Sequence, residues 1–128
     1  MYPEESRHGY SINKLIEQIK RRPDYDRVGM ILAHNGVVRG TSRDGRPVRG
    51  LRVAVDEAKL AHVIDTHKSR PGIVDIAVEI FSDRNLVVGD DVMVLVVAGD
   101  IRENVIRTLH DALDAIKSTV TQKTEFFV

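Results

Sequence analysis

The 128-residue sequence contains no cysteine, which excludes disulfides, thiolate nucleophiles and cysteine-held zinc or iron-sulfur clusters. Any sulfur chemistry must use sulfur brought by another molecule. Net charge is also missing: nineteen Lys and Arg offset nineteen Asp and Glu, which argues against broad polyanion binding but leaves room for local patches. Aromatic residues are only 5% of the chain, and none interrupts the arginine-rich segment 39–52, so a stacking surface for nucleic acid is absent there. The longest apolar run, residues 92–98, is far short of the roughly 20 residues that span a bilayer. The first five residues lack the basic and apolar regions of a signal peptide, and a cytoplasmic setting is expected. No Gly-rich phosphate fingerprint precedes a helix, and no serine nucleophile elbow is present. His62 and His67 are five apart, roughly 140° around a helix, too divergent to share a metal. The remaining histidines are scattered, and no metal site is expected.

What is present reads as one domain, residues 1–128, with an ordinary globular composition. Residues 1–10 read as a flexible arm. Ser11 offers a helix N-cap, and Ile12, Leu15, Ile16 and Ile19 form an apolar stripe before Pro23. Residues 28–38 are rich in branched side chains and predict a strand, which we expect to lie, with its hairpin, outside the main core. Residues 39–50 hold Arg39, Arg43, Arg46 and Arg49 against the single acid Asp44, among three glycines and a proline. This is a mobile basic loop or hairpin tip, either a solvated turn or a lid that reaches for phosphate or carboxylate. A strand over 51–55, a helix from Asp56–Glu57 to about Ser69, and an alternating strand over 73–81 follow.

Residues 86–88 turn through Gly89 into the apolar run 92–98, which suits a central strand covered on both faces. Asp100 and Glu103 suggest a capping box for a helix starting at Ile101 and ending near Lys117. Its expected buried stripe is Ile101, Val105, Ile106, Leu109, Ala112, Leu113 and Ile116. The β-branched tail 119–128 can add an edge strand. From Leu51 the order is strand, helix, strand, strand, helix, strand, the split βαβ order of ferredoxin-like domains. The expected class is α+β, with helices on one face of a mainly antiparallel sheet and an added N-terminal helix and β-hairpin.

Arg39, Arg102, Lys117 and Lys123 are the strongest candidates for chemistry, expected to converge where a strand end meets a helix end. A lysine at a helix end can be a surface charge that complements the dipole. Partly desolvated near other cations, it can instead act as general acid or base or form an adduct with a carbonyl.

The run 28–39 (VGMILAHNGVVR), the turn 86–90 (LVVGD), Arg102, Asp114-Ala115-Ile116-Lys117 and Lys123-Thr124-Glu125 together resemble the large catalytic subunit of molybdopterin synthase, the MoaE-like family. The resemblance implies an α/β-hammerhead fold and a homodimer. It also implies a small ubiquitin-like sulfur-carrier subunit at each end, bearing a C-terminal thiocarboxylate, which makes a heterotetramer. The implied reaction passes that sulfur to cyclic pyranopterin monophosphate, with no cofactor bound by the chain itself. Lys117 and Lys123 match the catalytic lysines, and Arg39 and Arg102 match anion-binding positions for substrate phosphate or the carrier's terminus. The chain departs from the family at His34, usually aromatic, and at Ile101, usually histidine. Its spacing from Lys117 to Lys123 is one residue short and lacks the family's proline and tryptophan. An alternative that keeps the fold is a catalytically degenerate dimer that binds an anionic ligand or a protein tail.

Overall fold

The computed structural model describes residues 10–128, with side chains from residue 12 onward. The arm expected over residues 1–10 lies almost wholly outside the described residues. In chain order the elements are α1 (Tyr10–Lys20), a 3-10 turn (Tyr25–Arg27), β1 (Met30–Val37), β2 (Val48–Val55) and α2 (Glu57–Lys68). There follow β3 (Ile73–Ile80), β4 (Leu86–Val87), β5 (Asp91–Gly99), α3 (Arg102–Ala115), a π-helical turn (Ile116–Val120) and β6 (Thr121–Phe127). The strands form two antiparallel sheets, β1-β5-β3 and β4-β2-β6. The α+β class expected from the sequence is the one observed.

β5 is the axis of the first sheet, as its unbroken apolar run predicts. Alternate side chains leave it in opposite directions. Met93, Leu95 and Val97 pack with Val63 of α2 and with Val105, Ala112 and Ile116 of α3 and the turn beyond it. Val94, Val96 and Ala98 pack on the other side against Leu15 and Ile19 of α1. The sheet is therefore sandwiched between helices. A third cluster, Val38, Leu51, Val53, Phe81 and Leu86, joins the two sheets.

Several local expectations are corrected. The 28–38 strand does not lie outside the core: β1 pairs with β5 over its whole length and is an edge of the central sheet. It does not pair with β2, because Leu51 and Val53 are drawn to the cluster around Phe81 and Leu86. The strands of the split βαβ order consequently divide between two sheets: β3 and β5 stay together while β2 and β6 pair with each other from Val48 to Phe127. Gly50 fixes this choice, since a Cβ there would sit 2.2 Å from the Leu86 carbonyl oxygen, so β4 and β2 approach closely only with glycine at that position. Ser11 lies inside α1 rather than capping it.

The Asp100–Glu103 capping box is also replaced. The Asp100 carboxylate accepts from the Ile101 amide at 2.6 Å and from the Asn104 side chain at 2.9 Å, and Ile101 itself is the N-cap. These bonds, Asn104 foremost, hold the Asp100 carboxyl below the usual range. The stripe of α3 is narrower than expected, with Ile101 and Ile106 about half exposed and Thr108 buried in their stead. Asp56, expected with Glu57 at the start of α2, stands just outside the helix as its N-cap and accepts from the Lys59 amide at 3.0 Å.

Candidate functional site

The site begins where β1 ends. A bulge between Gly36 and Val37 shifts the register against β5 and re-aims the chain. Val38, buried, is then clamped by two backbone bonds to the β4–β5 turn, from its own amide to the Asp90 carbonyl and from the Gly89 amide to its carbonyl, each 2.9 Å. Arg39 leaves this anchor and donates its Nε to the Thr41 carbonyl at 2.9 Å, which steadies the guanidinium while its terminal nitrogens have no partner among the described residues.

Residues 41–47 form a closed hairpin tip. Thr41 bridges Pro47, the Ser42 amide donates to the Arg46 carbonyl at 2.8 Å, and Gly45 takes the left-handed backbone, φ 89°, that the turn requires. Buried Ser42 accepts from the Arg46 amide and donates to the Asp44 carboxylate, which keeps that carboxyl below its ordinary range. Across from the tip, β6 sets Lys123 opposite Val53 and Glu125 opposite Leu51. The result is a cleft of about 340 Å³ lined by Val37, Arg39, Thr41, Arg43, Leu51, Lys123 and Glu125. Three cations face one carboxylate there, an arrangement that can hold an anion by paired, charge-assisted hydrogen bonds.

Lys117 stands apart from that lining, on the π turn that follows α3. The turn is held by buried Ile116 and Val120, by the Thr121 amide donating to the Ile116 carbonyl, and by Ser118 and Thr119 hydroxyls donating to the Asp114 and Ala115 carbonyls. Lys117 lies close enough to His34 for its charge to count. His34 pairs with Leu95 in the β1–β5 register and so faces the helices of the first core cluster. Its Nε2 is buried with no hydrogen-bond partner among the described residues. Burial first, and then the Lys117 charge, push the imidazole's pKa below its usual 6.5.

Arg102 is not brought to this end. It opens α3, is largely exposed and pairs with Glu103 at 3.2 Å. The fourteen-residue helix that it opens runs to the π turn, about 21 Å at the helical rise of about 1.5 Å per residue. The convergence expected of all four residues is thus met within one chain by Arg39 and Lys123 only. The sequence reading did not single out Arg43 or Glu125. The other loop arginines go elsewhere: Arg46 lies 3.6 Å over the Phe127 ring, Arg49 lines a separate cleft with Phe126, and Arg52 reaches Asn85. The signal that separates Arg43 from them is its place at the turn of a tip that folds back beside β6, and that becomes readable only with the β2–β6 pairing. Among the described residues no cluster of His, Asp and Glu could hold a metal.

Comparison with known proteins adds the following. The sequence model of the family described as MoaE protein matches residues 6–119. No curated protein sequence matches significantly. Among solved structures, a molybdopterin synthase from Staphylococcus aureus is 21% identical, with a TM-score of 0.69 over 84% of this chain and 85% of that one. A complex of subunits 1 and 2 of molybdopterin-converting factor from Helicobacter pylori is 16% identical, with a TM-score of 0.67 over 91% and 83%. The molybdopterin cofactor biosynthesis protein E from Burkholderia multivorans is 21% identical, with a TM-score of 0.71 over 91% and 82%.

Proposed function

The chain belongs to the MoaE protein family, and from that premise we propose that it serves molybdenum cofactor biosynthesis as the large subunit of a molybdopterin synthase. In this reading a small ubiquitin-like carrier brings sulfur as a C-terminal thiocarboxylate, and the chain directs its transfer to cyclic pyranopterin monophosphate. The observation that supports it most is the cleft that gathers Arg39 and Lys123 beside the end of β1. Arg39, steadied by the Thr41 carbonyl, holds the substrate phosphate or the carrier's terminus. Lys123 holds the intermediate and moves protons, and Lys117 on the π turn engages the pterin. The absence of cysteine accords with sulfur that arrives on the partner. The likeness to a two-subunit complex from Helicobacter pylori supports a small-subunit partner.

Two copies of the chain make the working unit in this proposal. Arg102, about a helix length from Lys117, joins an anion site only across a contact between copies. The test is direct: the chain is mixed with a thiocarboxylated small subunit and the cyclic pterin, and molybdopterin is sought. Formation of product supports the reading, and no product with any cognate carrier contradicts it.

A second reading has its own observation. His34 leaves an unpartnered nitrogen in a position that is usually aromatic in the family, which favours a degenerate dimer that keeps the fold and binds an anion or protein tail. Under that reading Lys117→Ala leaves the biological role intact, whereas a synthase loses most of its activity.

A further inference from the structure

We infer that His34 is the positioning residue for Lys117: its imidazole Nε2 accepts a hydrogen bond from the Lys117 ammonium in the working complex and so fixes the amine that meets the pterin. The inference rests on the synthase reading and adds a residue to it. It starts from an anomaly: among the described residues, His34 Nε2 is the one buried side-chain nitrogen or oxygen without a hydrogen-bond partner. Such an atom costs stability unless something binds it, and an apolar ring of similar shape would not carry that cost.

The backbone determines what can reach that nitrogen. His34 pairs with Leu95, and Leu95 packs in one cluster with Ile116, the residue before Lys117. Lys117 itself is exposed on the π turn and has no hydrogen bond or ion pair among the described residues. The other groups of this layer are apolar: Met30 and Leu32 on β1, Met93 and Val97 on β5, Leu109 and Leu113 on α3. Among the described residues, Lys117 is the one charged group whose field reaches the imidazole. Gly36 leaves the nitrogen room, since a Cβ there would stand 3.3 Å from Nε2. Val37, the next residue, lines the cleft with Lys123, so a lysine held at Nε2 stands beside the ligand site. Acceptance at Nε2 puts the ring proton on Nδ1. Burial keeps the imidazole uncharged at neutral pH, and only an uncharged ring can accept from an ammonium. The flexible four-carbon stem lets Lys117 turn from solvent onto the ring once the pterin covers it.

The test has a spectroscopic arm and a kinetic arm, both on the intact chain. Nitrogen NMR of labelled histidine, near neutral pH with saturating cyclic pyranopterin monophosphate, is expected to show His34 as the Nδ1–H tautomer with a hydrogen-bonded Nε2. Lys117→Ala is expected to shift that Nε2 signal toward an unbonded nitrogen. In sulfur-transfer assays His34→Phe is expected to lower kcat roughly 10- to 100-fold, the range for a displaced reacting group, with KM little changed and the melting temperature not lowered. His34→Gln, whose amide oxygen can accept in place of Nε2, is expected to recover most of that loss. Wild-type kcat is expected to fall in acid below pH 6.5, as the ring takes up its proton, and His34→Gln is expected to lack that limb. An Nε2 signal that ignores Lys117→Ala overturns the inference. So does full activity in His34→Phe, no recovery in His34→Gln, or the same acid limb in His34→Gln. A chain that makes no molybdopterin refutes the synthase reading, while the tautomer and its response to Lys117→Ala still decide whether His34 holds Lys117.

Discussion

At the scale of single residues, the cleft divides side chains that look alike in the sequence. Five arginines lie between residues 39 and 52, and composition cannot rank them. Their destinations are set by β2–β6 pairing and by one aromatic ring, both long-range facts. Lys123→Ala is expected to lower sulfur transfer at least about 100-fold, the range of a lost acid or base, in steady-state assays that leave the melting temperature unchanged. A loss below tenfold would remove Lys123 from the chemistry. His34 makes a prediction of a different kind. Its folded pKa lies below 6.5, so as pH falls past that value the unfolded chain takes up the proton first. Stability that His34 contributes above about pH 6.5 is therefore lost as the pH drops toward the folded pKa. Urea titrations between pH 7.5 and 5 are expected to show a steeper acid loss in wild type than in His34→Phe, whose ring cannot titrate. Parallel curves would contradict the assignment.

At the scale of elements, periodicity told most of the story. The run 92–98 announces the central strand, the 73–81 alternation announces β3, and the acidic pair Asp56–Glu57 announces the start of α2, because each depends on neighbours in sequence. What was not legible depends on approach between distant segments. Ile106 fits an apolar stripe by spacing, yet it is half exposed, and the buried residues of α3 are Val105, Thr108 and Ala112. Lys117 looked like the last turn of a helix but lies on a π turn, a device that often marks functional positions. The close approach of β1 to the α3 entry is another such case. A Cβ on Gly29 would fall 2.1 Å from the Asp100 carbonyl oxygen, where the Gly29 amide already bonds Gly99. Gly29→Ala is expected to cost about 1–3 kcal/mol through forced backbone displacement, read as a lowered urea midpoint. An unchanged midpoint would mean that the two segments are free to part.

At the scale of the whole molecule, the question is what covers the edges. β1 has β5 on one side and, among the described residues, no strand on the other, with Val37 about half exposed at its end. At the tail Arg46 covers Phe127, although Val128 stays open. We propose a symmetric second copy along β1 as its cover. Light scattering at micromolar concentration is expected to give twice 14.4 kDa. A monomeric mass would leave Arg102 without a site to join. The central claim, that this chain moves sulfur from a carrier to a pterin, is tested most directly on the carrier itself. In a single-turnover mixture of wild-type chain, thiocarboxylated small subunit and cyclic pyranopterin monophosphate, the carrier's intact mass is followed with time. The account predicts that the terminal sulfur is replaced by oxygen only when chain and pterin are both present, with matching growth of molybdopterin and no exchange with Lys117→Ala. A carrier that keeps its sulfur in the complete mixture, or loses it equally with Lys117→Ala, would contradict the account.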